Sequence, residues 1–292
     1  MRDGTALALV AGCSARSGAG RRWRRWISNR PLRWGSLGLV LVTGAAAGAP
    51  LLAPFDPLEQ HLDAALSPPS LVHPFGTDNF GRDILSRTLH GSRVDLMMGL
   101  GLVLFPLVLG TPVGCVAAYR GGVLDALVMR LAEIAVAFPF FVLVIAIIAM
   151  LGPGLANMYL AVTIVSWVSY ARIARGEIVV MRELEYVQAG RALGLGDGRI
   201  VFRHLLPGVG AAVVLFAVSD VVLCILLGTS LSFLGLGVQP PTAEWGAMIA
   251  DGRNYILTAW WMTTFPGLAI AVIGVTFSLL GDGLAHELRP GR

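Results

Sequence analysis

Long apolar stretches separated by polar ones dominate the chain, and their lengths indicate membrane helices. The first covers residues 32–53, in which Arg33 is the single charged residue. The other five cover about 96–118, 124–151, 158–173, 208–227 and 260–280. A transmembrane helix needs about 20 predominantly apolar residues. The pattern therefore predicts an all-α integral membrane protein with six transmembrane helices.

Prolines inside the apolar stretches predict kinks in helices rather than breaks, since neighbouring membrane helices can satisfy the carbonyl groups that proline frees. These prolines are Pro106, Pro112, Pro139 and Pro266. Between the first two stretches, residues 54–93 are polar and rich in proline. Turns are expected at 76–78 and 79–81, and a separate short amphipathic helix at the membrane surface over 83–89.

A second polar segment, residues 185–208, lies between two apolar stretches and reads EYVQAGRALGLGDGRIVFRHLLPG. Its charges would each cost several kcal/mol in hydrocarbon, so it lies outside the bilayer. The pattern predicts a short helix that ends near Gly194 and Gly196, with Pro207 in the first turn of the next helix. A short helix among basic residues favours docking of a soluble partner; the alternative is an ordinary amphipathic loop.

Arginine counts orient the chain, because cytoplasmic loops of membrane proteins carry an excess of positive charge. With the N-terminus inside, eighteen arginines fall on the inner side and four on the outer side. Both termini and the 185–208 segment are therefore predicted to be cytoplasmic. The N-terminal Arg/Trp cluster around Trp23 and Trp26 is expected to anchor at the lipid headgroups, and this interpretation is favoured over lipidation at Cys13.

Composition adds two constraints. The chain is 55% hydrophobic and 14% charged, against about 25% charged for a soluble domain. All 22 basic residues are arginine, whereas the phosphate-binding loop of common ATPases needs a lysine. Any ATP hydrolysis by that route must reside in another chain. The three cysteines show no disulfide or metal-binding spacing and are interpreted as packing thiols.

Few ionisable residues lie within the apolar stretches. Asp220, next to Ser219, lies midway along the fifth stretch, where a carboxylate is costly. It either lines a translocation path or forms a hydrogen bond between helices. Glu133 is expected to pair with Arg130 near the inner face. Trp245, Trp260 and Trp261 are expected to anchor at the outer membrane interface.

The 185–208 segment resembles the EAA loop of bacterial ABC importer permeases. The matching positions are Gln188-Ala189-Gly190, Gly194, His204 and Leu206-Pro207. The spacing agrees throughout, although Gln188, Gly190 and His204 depart from the usual Glu, Ala and Ile. The resemblance implies a coupling loop over 176–206 that meets an ATPase through Glu185, Gln188, Ala189, Gly190, Gly194, Leu206 and Pro207.

Three further stretches resemble the dipeptide, oligopeptide and nickel branch of these permeases, in particular its second or "C" subunit of dipeptide type. They are HPFGTD at 73–78 with GRD at 81–83, LSFLGLG at 231–237 with 240–241 and 245–246, and GDGL at 281–284. Gly228, Ala285 and His286 depart from the usual residues. The resemblance implies contacts with an extracytoplasmic binding protein at Asp78, Arg82, Asp83 and Trp245.

The implied organisation is a cytoplasmic tail over 1–31, a first transmembrane helix over 32–53 and an extracytoplasmic segment over 54–93. A five-helix permease core over 94–284, with an outer loop over 228–259, precedes a cytoplasmic tail over 285–292. The implied partners are a second homologous permease, one or two ABC ATPases, an extracytoplasmic substrate-binding protein and the lipid bilayer, with no nucleic acid. The chain itself would carry no cofactor or metal, ATP and magnesium being held by the ATPases.

The resemblance implies import of di- or oligopeptides by a non-catalytic subunit in a bacterial inner or plasma membrane. Nickel chelates and haem-like compounds remain alternative substrates. A stand-alone secondary transporter is a further alternative, but it would predict an internal repeat and more membrane-buried charges.

Overall fold

A computed structural model describes residues 29–288, and within this range the chain is helical. The predictions about Trp23, Trp26, Cys13 and residues 289–292 lie outside the described residues. The helices are α1 (Arg30–Leu52), α2 (Ile84–Arg120), α3 (Gly122–Ala137), α4 (Phe140–Leu151), α5 (Leu155–Met181), α6 (Glu185–Ala192), α7 (Leu206–Phe233), α8 (Trp245–Gly252) and α9 (Trp261–Leu288).

Helix α1 contains a proline near its end, and another helix compensates for the hydrogen bond that this proline cannot form. Pro50 has no N–H, so the carbonyl of Ala46 lacks its partner four residues later. The guanidinium of Arg93 on α2 donates to Ala46 O through Nε and to Ala47 O through Nη2 at 2.6 Å. This contact fixes the C-terminal end of α1 against α2.

Helix α2 is one continuous helix of 37 residues, so the expectation of a separate surface helix over 83–89 is wrong. The polar residues of its first three turns face protein rather than lipid: Ser86, Arg87 and Asp95 are all buried. The amphipathic pattern therefore belongs to the first turns of a long helix, which pack inside the protein. Pro106 and Pro112 lie within α2, as predicted.

The stretch 124–151 is broken, and the expectation of a kink at Pro139 is wrong. Helices α3 and α4 meet at an angle of 91°. Phe138 is extended, with φ −94° and ψ 145°. A residue before proline is forced out of the helical region by contact with the proline ring.

Helices α5, α7 and α8 are compared with the sequence predictions in turn: one is longer than predicted, one starts as predicted and one was not predicted. Helix α5 runs to Met181, eight residues beyond the predicted 173. Pro207 lies in the first turn of α7, as predicted. Helix α8 was not predicted; Glu244 caps it by accepting hydrogen bonds from Gly246 N and Ala247 N, both at 2.8 Å.

Small residues allow the long helices to approach closely, which is the usual basis of helix packing in membranes. On α2, a Cβ at Gly110 would collide with the carbonyl of Trp167 on α5, and one at Gly114 with that of Ala171. At the other side of the bundle, Gly283 of α9 lies against the backbone of Leu32 on α1. The buried core therefore lies between α2, α5, α7 and α9.

By length and apolar character, four helical stretches could cross a membrane: α1, α2, residues 197–233 and α9. The bent pair α3–α4 would be a fifth. The chain is thus a multi-pass helical membrane protein. The count of six spans stays a prediction.

Candidate functional site: an inner coupling segment, an outer clamp and a depression between them

Residues 185–205, which we call the inner coupling segment after their expected position and role, form a short helix followed by tight turns. Helix α6 buries Val187 and Gly190, while Gly194 ends the first piece with φ +75°. Nothing lies within 4 Å of a Cβ built at Gly194, so glycine is needed there for backbone conformation rather than for space. The segment 200–205 forms a π-helical turn that leads directly into α7.

One face of this segment is apolar and uncovered. Leu193 is 82% exposed, Phe202 is 52% exposed and Tyr186 is 47% exposed. The opposite face is packed on the bundle through Ile200, Val201 and Leu205. A helix that exposes large apolar side chains beside arginines outside the bilayer has the composition of a protein-docking surface.

Tyr119, at the end of α2, fixes the coupling segment to the bundle. Its hydroxyl accepts a hydrogen bond from Arg191 Nε at 3.1 Å and donates to Asp197 Oδ1 at 3.3 Å. The Arg191 guanidinium also lies 4.7 Å from the Tyr119 ring centre, a cation–π distance. Arg182 Nη1 donates to Ala118 O at 2.9 Å. The segment is therefore hydrogen-bonded to the end of α2 and leads directly into α7, and Arg182 ties the end of α5 to α2 as well.

At the outer side, two buried carboxyl groups join three helices; we call Asp95, Ser232 and Glu244 the outer clamp. Asp95 on α2 and Glu244 at the start of α8 are both 0% exposed. The two carboxyls lie close enough to affect each other's ionisation, and the Ser232 side chain on α7 lies beside Glu244. No N–H or O–H of the described residues reaches Asp95 Oδ1. Two adjacent buried carboxyls disfavour each other's ionised form.

Trp245 completes the outer clamp. Its backbone N–H donates to Asp95 Oδ2 at 3.1 Å, and its indole Nε1 donates to Thr88 O at 3.0 Å. The clamp also requires two close glycines. A Cβ at Gly237 would collide with Ser232 Oγ, and one at Gly246 with Thr229 O. Because Trp245 and Trp261 are buried, the interpretation as interfacial anchors is wrong for both and fits Trp260, which is 50% exposed.

The HPFGTD segment and its neighbours form a buried ion-pair network at the outer start of α2. Asp78 accepts from Arg82 Nε at 2.6 Å, and Arg87 Nε lies 3.7 Å from the same carboxylate. Arg82 Nη2 is 3.6 Å from Asp251 of α8. Burial raises the pKa of the Asp251 carboxyl, while the two arginines act to lower it. The predicted turns are present, with φ +74° at Gly76 and at Gly81.

Asp83 caps α2 within this network. Its Oδ2 accepts from Ser86 N and Ser86 Oγ, both at 2.7 Å, and its Oδ1 lies 2.9 Å from His73 Nδ1. The residues expected to contact a binding protein, Asp78, Arg82, Asp83 and Trp245, are each 5% exposed or less. The structure therefore places them inside the outer segment, where they position the surface above them.

Between the inner and outer regions, Asp220 lies midway along α7 and lines a depression of about 440 Å³. Its carboxylate accepts a hydrogen bond from the Tyr170 hydroxyl of α5 at 2.8 Å. Ser219 is exposed, and its hydroxyl donates to Leu215 O of its own helix at 3.3 Å. Cys115 and Cys224 are buried, as expected for packing thiols.

The structure separates the predicted residues into three groups. The coupling residues lie in the inner segment and the first turn of α7. Asp78, Arg82 and Asp83 share the ion-pair network, whereas Trp245 belongs to the outer clamp. Asp220 lies between these regions with Tyr170. The sequence did not point to Tyr119, Tyr170 or Asp95. Asp95 had a usable signal, since a carboxylate one residue before a long apolar stretch is costly without a partner.

The arrangement has counterparts in known proteins. Residues 110–291 match the family model of the binding-protein-dependent transport system inner membrane component, and residues 19–69 match that of the N-terminal TM domain of oligopeptide transport permease C.

Three curated relatives cover most of the chain. The chain is 40% identical to the di/tripeptide transport system permease protein DppC of Pseudomonas aeruginosa, covering 92% of this chain and 90% of that one. It is 43% identical to the probable D,D-dipeptide transport system permease protein DdpC of Escherichia coli, covering 86% and 85%. It is 39% identical to the glutathione transport system permease protein GsiD of Pectobacterium atrosepticum, covering 92% and 89%.

Both the family model and these relatives describe a permease rather than an ATP-hydrolysing subunit. The chain therefore belongs to the binding-protein-dependent transport system inner membrane components, as a C-type permease of an ABC importer.

Proposed function

We propose that this chain imports di- or oligopeptides as one half of a translocation pathway whose other half is a second, homologous permease. The observation that carries this proposal is the coupling segment, with its uncovered Tyr186, Leu193 and Phe202, rigidly tied through Tyr119 to α2 and running directly into α7. The peptide substrate is supported by the relatives, whose names refer to dipeptides, tripeptides and glutathione.

The chain crosses the membrane six times, with α3–α4 as one bent span, α5 as another, and both termini in the cytoplasm. In this topology the coupling segment faces the cytoplasm, where one or two ABC ATPases dock on it through Glu185, Gln188, Ala189, Gly190, Gly194, Leu206 and Pro207. ATP and magnesium bind to those ATPases. Closure of the ATPases moves α6, and the direct connection to α7 carries the movement to the helix that bears Asp220.

At the other end, an extracytoplasmic substrate-binding protein lands on the outer segment. Asp78, Arg82, Asp83 and Trp245 hold that surface in shape, and the outer clamp connects it to α2 and α7. Asp220 and Ser219 belong to the translocation path. The surface for the binding protein and the segment for the ATPases are thus connected to the same two helices, α2 and α7.

The test is purification of the intact assembly through a tag on this chain, followed by mass spectrometry of its subunits and of any ligand on the co-purified binding protein. We expect a second permease, ATPase chains and a bound peptide. Recovery of this chain without an ATPase, or of a binding protein loaded with a nickel chelate or a haem, would contradict the proposal.

A further inference from the structure

The depression beside Asp220 lies between three helices, and its lining is unusual for a surface within a membrane. It opens between α4, α5 and α7 and combines two phenyl rings, Phe140 and Phe141, with the hydroxyls of Ser166 and Ser169. Phe140 is 41% exposed and Phe141 is 37% exposed. Pockets of a few hundred Å³ with apolar walls and a few polar groups are typical of small-molecule sites.

The Asp220 carboxylate is held in place, and no cationic side chain of residues 29–288 forms an ion pair with it. Tyr170 donates to Oδ2 at 2.8 Å, and Cys224 Sγ lies 3.8 Å from the same oxygen. Tyr170 is itself buried and packs edge-on against Phe216, with 5.1 Å between ring centres. Both contacts engage Oδ2, so Oδ1 is left for an occupant of the depression.

The ion pairs of the described residues do not include Asp220. Carboxylates at membrane depth usually pair with a cation or line a path for one, because an isolated charge is costly there. Among the described residues, the ion pairs between arginine and a carboxylate lie toward the two ends of the bundle. One example is Arg175 with Asp125, at 2.7 Å. A moving cationic group would supply the missing charge.

We propose that this depression is a transit site for the α-ammonium group of the transported peptide, with Asp220 Oδ1 as its acceptor. The inference rests on the proposed peptide import and adds which end of the peptide the chain recognises. An ammonium group has three donors and no acceptor, which suits one carboxylate oxygen and the nearby hydroxyls of Ser166 and Ser169. Phe140 and Phe141 offer apolar contact to the peptide side chains.

The competing occupant is an arginine of the second permease, paired permanently with Asp220. A transported peptide and a partner arginine differ in whether assembly of the complex needs the Asp220 carboxylate. A permanent ion pair buried between two permeases is strongly destabilised when one partner is removed. A transit site is empty for most of the transport cycle, so the assembled complex survives its loss.

The test uses the complete importer in proteoliposomes, with the binding protein and a labelled dipeptide outside and ATP inside. The variants are Asp220→Asn, which removes the charge, Asp220→Glu, which restores it, and Tyr170→Phe, which removes the internal donor and keeps the carboxylate. Glu133→Gln is the matched control, since it makes the same carboxylate-to-amide change at a side chain that is 56% exposed.

We expect Asp220→Asn to lower the maximal uptake rate about tenfold or more, the usual effect of losing a hydrogen bond to a charged group. Asp220→Glu should recover part of the rate. Tyr170→Phe, which keeps the charge but loosens the carboxylate, should lower the rate less than Asp220→Asn does. Glu133→Gln should stay within about twofold of the original protein, and complex yield should not change. Equal losses for Asp220→Asn and Tyr170→Phe would assign Asp220 a structural role and overturn the transit site. A lower yield of complex with Asp220→Asn would assign it to a partner's cation instead.

Unchanged uptake with Asp220→Asn, in a complex that otherwise transports the dipeptide, would overturn the transit site alone. Absence of dipeptide uptake by the original complex would contradict the proposed function, and the transit site with it.

Discussion

At the scale of single residues, the outer clamp places two acids where water does not reach. Glu244 is fully buried, yet its carboxylate caps α8 and meets both Asp95 and Ser232. The sequence could mark Asp95 and Glu244 as charged residues near apolar segments, but they are 149 positions apart, and only the packing of α8 on α2 brings them together. For the same reason the sequence singled out Asp220 and not its partner Tyr170.

The acids of the outer clamp predict how pH acts on α8. Burial raises the pKa of the Glu244 carboxyl above its ordinary value of 4.5, against the opposing effect of the Gly246 and Ala247 N–H groups. The folded outer segment therefore binds a proton more tightly than the unfolded one. This stabilisation is complete below the ordinary pKa and is lost as pH rises through the raised pKa. Burial raises the pKa of Asp251 in the same direction.

Hydrogen exchange of the α8 amides between pH 5 and pH 8, corrected for intrinsic rates, should thus show protection that falls as pH rises. Glu244→Gln should flatten this dependence. Asp63→Asn, at an exposed carboxylate, is the control and should leave the slope unchanged. Protection that rises with pH, or an unaltered slope in Glu244→Gln, would contradict the account of the clamp.

Gly194 gives a second prediction at this scale. With φ +75°, the position tolerates Asp and Asn better than other side chains, and a Cβ there meets open space. Gly194→Asp should therefore fold and insert, while placing a negative charge on the docking surface. We expect transport to be lost and the amount of inserted chain to be normal.

Gly194→Asn is the matched control, since it has nearly the same shape and backbone preference without the charge. It should retain more transport than Gly194→Asp. Uptake at the original rate by Gly194→Asp, at normal expression, would refute the assignment of this turn to the ATPase interface.

At the scale of elements, the long apolar helices follow from the hydrophobic pattern, while their ends and breaks depend on packing. Prolines illustrate the difference. Pro106 and Pro112 are tolerated inside α2, Pro50 is compensated by Arg93, and Pro139 ends a helix at a 91° break. Each of these prolines lies in an apolar stretch, so the residues around it do not predict its effect. That effect depends on what packs against the proline, and those contacts come from residues elsewhere in the chain. Helix α8 was missed because its eight residues are too few for a clear period.

Asp83, which caps the start of α2, gives a prediction about stability. Its carboxylate satisfies Ser86 N and Ser86 Oγ and meets His73, all within a site where Asp83 is 2% exposed. Asp83→Ala should destabilise the outer segment by about 1–3 kcal/mol, through loss of the cap and of partners for buried donors. The thermal midpoint of the purified complex should fall accordingly. Asp63→Ala, at an exposed acid, should leave the midpoint unchanged, and equal midpoints for both variants would count against the cap.

At the scale of the whole molecule, the architecture connects an inner docking segment to an outer clamp through α2 and α7. This connection could be predicted in part. The arginine bias predicts the orientation, which stays a prediction, and the family resemblance drew attention to residues 185–205 and to the outer motifs. The mechanical link through Tyr119, Ser232 and Glu244 could not be predicted, since it depends on contacts between residues far apart in the sequence.

Topology supplies the prediction at this scale. Single cysteines in place of Asp63 or Thr242 should react with a membrane-impermeant thiol reagent from outside intact cells. A cysteine in place of Asp197 should react only after the inner face is opened. All three positions are exposed in the described chain, so burial does not explain a failure to react. Labelling at position 197 in intact cells would reverse the assignment of the coupling segment to the cytoplasm.

The central claim, that this chain is a passive path driven by partner ATPases, is tested most directly by uptake into proteoliposomes of defined content. With the complete complex, the binding protein outside and ATP inside, a labelled dipeptide should accumulate, and accumulation should stop without ATP or without the ATPase chains. The purified chain alone should neither hydrolyse ATP nor transport. Accumulation by this chain alone, driven by an ion gradient, would contradict the account.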